Sequence, residues 1–193
     1  VDLKPGDTIC IDVDHPLDAG TVERIGCTYA DLAEDVSRGD TLLLDDGAIE
    51  LCVDSIEGGG VRCQVIVGGR LSNTKGINRK GGGLSAPPLT EKDKSDIRFA
   101  ASINADYLAV SFVQSAEDIR TARRLFREAG GSGGIVAKIE RAEALTCIDE
   151  IIDASDVIMV ARGDLGVEIG DAELPAVQKS LIHNARERNC VVI

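Results

Sequence analysis

Apolar residues in this chain change their spacing at Pro87-Pro88, and that change limits the folds open to it. Upstream, the period is two. Ile9, Ile11 and Val13 share one face of an extended segment, as do Ile49, Leu51 and Val53, and again Val61, Cys63, Val65 and Val67. Asp46-Gly47 and the run from Gly58 to Gly60 supply turns between them. Residues 1–86 therefore predict a small antiparallel β domain, a compact barrel or a sandwich.

Downstream, strand and helix alternate. Thr90 with Asp93 opens a helix, Ala105 to Val113 reads as a buried strand, and Ser115 with Asp118 caps a helix. The latter helix carries Ile119, Ala122, Phe126 and Ala129 on one face and ends at Gly130. A strand from Gly134 to Glu140 follows, then a helix with Leu145, Ile148 and Ile152, and a strand from Asp156 to Ala161. A last helix presents Leu174, Val177, Leu181 and Ala185 before Cys190 to Ile193 begins a fourth strand. Repeated strand–helix units imply a parallel sheet covered by helices, either open and doubly wound or half of a (β/α)8 barrel. Stopping inside an apolar strand suggests a piece of something longer.

Charge narrows the partners. The net charge is −12, from 21 basic and 33 acidic residues, so nucleic acid and anionic membranes would repel the chain. Five aromatic residues are too few for a base-stacking surface. No apolar run approaches the roughly 20 residues that a membrane helix needs. No signal segment opens the chain, and a cytoplasmic location is expected. The six cysteines form no C-x-x-C pair and read as scattered thiols of a reducing compartment rather than zinc ligands or disulfides.

Against this background three clusters of polar residues stand out. In the strand Ile135-Val-Ala-Lys-Ile-Glu140, alternation sends Ile135, Ala137 and Ile139 to one face and Val136, Lys138 and Glu140 to the other. Lys138 and Glu140 lie ~6.6 Å apart along the strand, at the carboxyl end where parallel α/β sheets build their sites. A structural ion pair would explain them equally well. Next, DVIMVARGDLG (156–166) delivers Asp164 just past its own strand, flanked by Gly163 and Gly166. Glycine there lets backbone N–H groups approach an anion, although turn chemistry alone could require it. Glu140 and Asp164 make a partial ligand set for Mg²⁺, which completes its octahedron with water and substrate oxygens. Lys138 beside such an ion could stabilise charge on a transferring phosphoryl group. Third, no Asp or Glu occurs from Gly58 to Thr90, while Arg62, Arg70, Lys75, Arg79 and Lys80 do. The glycine-rich centre of that segment suits an anion-binding loop, or a merely solvated basic one.

LSNTKGINRKGGGLSAPPLTEKD, DYLAVSF, VAKIERAEA and MVARGDLGVEIG, in that order and at these spacings, resemble the pyruvate kinase family over essentially all 193 residues. The resemblance implies a (β/α)8 barrel with a β-rich lid domain inserted after its third strand. On that map residues 1–86 are most of the antiparallel β-barrel lid, and 87–193 hold barrel strands four to six and the start of the seventh. It implies reversible phosphoryl transfer between phosphoenolpyruvate and ADP, giving pyruvate and ATP. Lys138 then matches the transition-state lysine, and Glu140 and Asp164 match the protein ligands of Mg²⁺, or of Mn²⁺ in its place. Gly163 matches a backbone contact to phosphoenolpyruvate, with Asp164 beside it, and Lys75 matches a lid lysine that meets nucleotide phosphates. K⁺ and a homo-oligomer, a tetramer, are expected of the full-length enzyme.

What the family has and this chain lacks is equally specific. The first three barrel strands, with a substrate-binding arginine and most potassium ligands, are outside the sequence, as are the seventh-strand threonine and a C-terminal effector domain. The chain alone is therefore expected to be inactive or nearly so, and poorly soluble. Two rival readings are a Mg²⁺-dependent aldolase or lyase barrel handling pyruvate enolate, and a non-catalytic remnant or interaction module. The basic segment around Lys75 speaks against the first, since an aldolase has no nucleotide phosphates to neutralise.

Overall fold

The computed structural model describes residues 1–85 and 89–193, so the Pro87-Pro88 break itself lies outside the described residues. Contacts divide the chain into two compact units, Val1–Ala86 and Pro87–Ile193.

The first unit runs β1 (Asp2–Leu3), β2 (Thr8–Asp12), β3 (Arg24–Gly26), α1 (Leu32–Asp35), β4 (Thr41–Leu44), β5 (Ile49–Glu57), β6 (Gly60–Val67), β7 (Gly69–Arg70) and β8 (Ile77–Arg79). Six strands form one sheet in the order β3-β2-β6-β5-β4-β8, and β1 pairs separately with β7. The sheet is antiparallel except for one parallel pair, β2 with β3. That pair corrects the all-antiparallel expectation: the chain travels from Asp12 to Arg24 through a loop instead of turning back in a hairpin. Among the described residues β3 and β8 are not hydrogen-bonded to each other, so the sheet is open.

Alternation predicts its core well. Ile9, Ile11, Ile49, Leu51, Val53, Val61, Cys63 and Val65 are all buried. Two expected members are not. Val13 lies beyond the end of β2 and is half-buried, and Val67 is 44% exposed. A register shift explains Val67: Leu51 pairs with Val65, but its neighbour Glu50 pairs with Val67, so an extra residue in β6 turns Val67 to the outer face.

The second unit runs α2 (Glu91–Ser102), β9 (Tyr107–Val110), α3 (Ala116–Glu128), β10 (Gly134–Ile139), α4 (Ala142–Thr146), α5 (Ile148–Ala154), β11 (Val157–Val160), α6 (Arg162–Ile169), α7 (Leu174–Glu187) and β12 (Val191–Val192). Its four strands are parallel, in the order β12-β11-β10-β9. This is mixed α/β architecture, and the described strands do not close into a barrel. The capping signals act as read. Asp93 N–H donates to the Thr90 hydroxyl at 3.2 Å and Thr90 N–H to the Asp93 carboxylate at 2.8 Å, while Asp118 accepts from the N–H groups of Gln114 and Ser115.

Three expectations in this unit need correction. The strand read as Ala105 to Val113 is only four residues long, and its Tyr107 is 61% exposed, because β9 is the edge of the sheet. The helix read across Leu145 to Ile152 is two helices, α4 and α5, broken at Cys147, where φ −131° and ψ 34° leave the helical region. Asp164, expected just past its strand between two glycines with turn chemistry as one account of them, lies instead in helix α6, Arg162–Ile169. Gly163 and Gly166 both sit inside it at ordinary negative φ. Elsewhere a glycine is required by contact: a Cβ on Gly133 would lie 2.4 Å from the carbonyl oxygens of Ala105 and Asp106, so β10 can enter beside β9 only without one. No helix among the described residues is long and apolar enough to cross a membrane.

Candidate active site

β10 presents the two faces its sequence calls for. Ile135, Ala137 and Ile139 are fully buried among the helices, while Lys138 stands on the other face with about a quarter of its side chain exposed. Register places Lys138 beside Met159 on β11. On the β9 side Ala137 pairs with Val110, the last residue of that strand, so Ser111 comes level with Lys138. The Lys138 ammonium donates to the Ser111 hydroxyl at 2.9 Å and pairs with the Glu140 carboxylate at 2.5 Å.

Glu140 is 2% exposed, and a carboxylate so placed must be compensated. Lys138 holds one oxygen. Phe112 N–H holds the other at 2.6 Å. Phe112 reaches that position from a left-handed backbone, φ 54°, which an aromatic residue adopts at a cost and which is common where geometry serves a site. The sequence gives no sign of this. Ser111 could have been read from alternation with Tyr107 and Ala109, but only once the parallel register was known.

On the neighbouring strand β11 the chain passes through Ala161 directly into α6. Gly163 and Asp164 occupy its first turn, where backbone N–H groups have no intrahelical acceptor and the helix dipole favours negative charge. The two glycines of this helix differ. A Cβ on Gly166 would lie 3.3 Å from Asp171 Oδ1 and Leu174 Cδ2, so a side chain there needs both neighbours to give by a few tenths of an ångström. A Cβ on Gly163 would meet nothing within 4 Å, and its φ is ordinary. Nothing inside the described unit calls for glycine at 163, and the space in front of that backbone is open.

Asp164 is half-buried, and its side chain has no hydrogen bond or ion pair among the described residues. Both it and Glu140 follow adjacent parallel strands at their carboxyl ends, which is a relation of topology. No group of three or more His, Cys, Asp or Glu side chains gathers as a metal site among the described residues. The described residues therefore offer at most two carboxylates here. Just below them lies a buried group that sequence reading passed over. Arg141 (4% exposed) is ion-paired through Nε to Glu168 at 3.1 Å and through Nη2 to Glu143 at 3.1 Å. Glu168 (3% exposed) also accepts from Ala142 N–H at 2.8 Å.

Lys75 belongs to the other unit and is described there alone. It follows Thr74, a β-branched residue at φ 58°, and its ammonium pairs with Asp45 at 2.7 Å with the side chain 38% exposed. Asp45, Asp46 and Gly47 are all left-handed, which aims the Asp45 carboxylate out of the β4–β5 turn. That hydrogen bond to Asp45 raises the lysine pKa.

The chain as a whole matches known proteins. Residues 1–193 match the family described as the barrel domain of pyruvate kinase. The chain is 55% identical to pyruvate kinase II of Salmonella typhimurium, over 99% of this chain and 40% of that protein. It is also 55% identical to the pyruvate kinase of Haemophilus influenzae, over 99% of this chain and 41% of that one. Identity to the pyruvate kinase of Corynebacterium glutamicum is 45%, over 97% and 39% respectively. The chain thus spans about 40% of the length of these relatives.

Proposed function

The chain belongs to the pyruvate kinase family, and from that premise we propose that it supplies part of a site transferring a phosphoryl group between phosphoenolpyruvate and ADP, with pyruvate and ATP as products. The observation that carries this reading is the Lys138 ammonium, held between the Glu140 carboxylate and the Ser111 hydroxyl at the carboxyl end of the sheet. A cation fixed in that way is oriented before the substrate arrives, so it can stabilise equatorial phosphoryl charge without reorganising. The finer architecture we propose is that of the family: a partial (β/α)8 barrel in residues 87–193 and an inserted lid in residues 1–86.

The donor set fits a hard divalent cation. Asp164 has a carboxylate engaged by no partner among the described residues, and Glu140 retains lone pairs beyond its two hydrogen bonds, so both could hold Mg²⁺ or Mn²⁺ with water and substrate oxygens completing the shell. Bound there, the ion would neutralise charge on the oxygens of the transferring group. The chain's own groups do the rest. First-turn N–H groups of α6 at Gly163 are free to meet an anionic substrate, and Phe112 N–H keeps the Glu140 carboxylate from rotating. K⁺ and the oligomeric state belong to the full-length reading and have no residues assigned here. Lys75 is the nucleotide-side residue of the proposal, and a polyphosphate would have to compete with Asp45 for it.

Two substitutions in the full-length protein test this. Lys138→Met is expected to lower kcat by about 10²- to 10³-fold, the scale of losing one preorganised charge donor. Gly163→Ala should keep or slightly raise the melting temperature, since alanine is the better helix former and meets no neighbour. It should nevertheless raise KM for phosphoenolpyruvate. If Lys138→Met turns over at the wild-type rate, the reading fails.

A further inference from the structure

Glu168 and Arg141 are the buried charges the proposed chemistry does not use. Glu168 lies four residues after Asp164 on α6, one turn along the same helical face. Its carboxylate takes Ala142 N–H and the Arg141 guanidinium, both from the segment that begins immediately after Glu140. One carboxylate therefore ties the backbone just past the first candidate ligand to the helix that carries the second. Stability alone does not call for such a device. Replacing a buried ion pair by apolar side chains of similar volume is often neutral or stabilising, whereas the hydrogen bond from Ala142 N–H is directional and fixes where the Glu168 carboxylate sits.

We propose that Glu168, held by Arg141, is a positioning residue that sets the spacing between Glu140 and the first turn of α6. The inference rests on the reading of Glu140 and Asp164 as ligands of a divalent cation. It goes further in assigning their separation to a clamp one helical turn away.

The test uses the full-length protein and free Mn²⁺, titrated by electron paramagnetic resonance in the absence of substrate. The double variant Arg141→Met/Glu168→Met removes both buried charges together and is expected to keep the melting temperature. Its Mn²⁺ affinity should fall by about 10- to 100-fold, the usual effect of losing a partner behind a metal ligand. Glu168→Gln, which keeps an oxygen for Ala142 N–H, should fall between the double variant and the parent. Arg123→Met serves as a destabilising control, because it breaks the ion pair with Asp156 at the opposite end of the sheet. It should bind Mn²⁺ as the parent does. A folded double variant with parental Mn²⁺ affinity overturns the proposal, as does an equal loss in Arg123→Met. Should the double variant not fold, Glu168→Gln decides in the same way. Glu140→Gln separates the two layers of the argument: parental Mn²⁺ affinity there removes the ligand reading and the clamp with it. Loss there alone, with the clamp variants unchanged, removes only the clamp.

Discussion

Two lysine–carboxylate pairs, one in each unit, have nearly the same geometry and different surroundings. Lys75 and Asp45 meet at 2.7 Å with 38% and 26% of their side chains exposed, on a turn made of left-handed residues. Lys138 and Glu140 meet at 2.5 Å with 26% and 2% exposed, at the end of a strand whose other face is fully buried. Water can replace either member of the first pair. Among the described residues the Glu140 carboxylate is compensated by Lys138 and by Phe112 N–H. The first pair is an ion pair on a surface. The second is a carboxylate made tolerable in a dry place by one cation and one backbone donor, and that is where a reacting anion would feel the cation most strongly.

Removing the lysine from each pair should therefore separate them, and the larger effect falls on β10. Lys138→Met leaves Glu140 buried with half of its compensation. The expected loss of unfolding free energy is about 3 kcal/mol, the low end for breaking a buried pair, since the lysine is itself partly exposed. Urea unfolding of the full-length protein measures it. A loss no larger than that in Lys75→Met would erase the distinction drawn between the two pairs.

How much of this could be read beforehand follows the same division between pattern and environment. Strand alternation is a property of the residues themselves, so it located Ile135, Ala137 and Ile139 on the core face and Lys138 on the other. Capping boxes are equally local, and Thr90–Asp93 and Ser115–Asp118 acted as read. What was missed needed a neighbour. The helix α6 was hidden because Gly163 and Gly166 lower helical propensity, and tertiary packing, with Leu165 fully buried and Leu174 close to the Gly166 backbone, overrode that preference. The outward turn of Val67 came from a register shift that only the pairing with β5 defines. The Glu168 clamp joins residues 26 positions apart through a backbone N–H, which no side-chain pattern encodes.

A second pair of carboxylates sharpens the comparison at smaller amplitude. Burial would raise the pKa of Asp156, but hydrogen bonds from Ile135 N–H and Arg123 outweigh it and hold the carboxyl below its ordinary 3.8. Asp35 in the other unit is likewise lowered, burial being outweighed by Ser85 N–H, Tyr29 and the Arg79 charge. A depressed folded pKa means stability that is present above the unfolded value and lost as pH falls through the folded one. Protection of the Ile135 and Ser85 amides against hydrogen exchange should be level from neutral pH to about 4 and fall below it. Asp156→Asn should remove the acid limb at Ile135 and leave it at Ser85. Loss at both amides would mean that the two units share one acid-sensitive network.

The smallest effect on stability is expected at Lys75, and it is the one that separates structure from use. Lys75→Gln breaks an ion pair that solvent already screens, so the melting temperature should stay within the scatter of repeat scans at any ionic strength. If the ammonium exists for a nucleotide phosphate, KM for ADP in the full-length protein should still rise by about tenfold, the scale of one lost charge-assisted contact, with kcat unchanged. That rise should shrink as salt is added, because a phosphate approaching from solvent is screened along with Asp45. An unchanged KM would leave Lys75 as what its exposure alone implies, a solvated charge that steadies the Asp45–Gly47 turn.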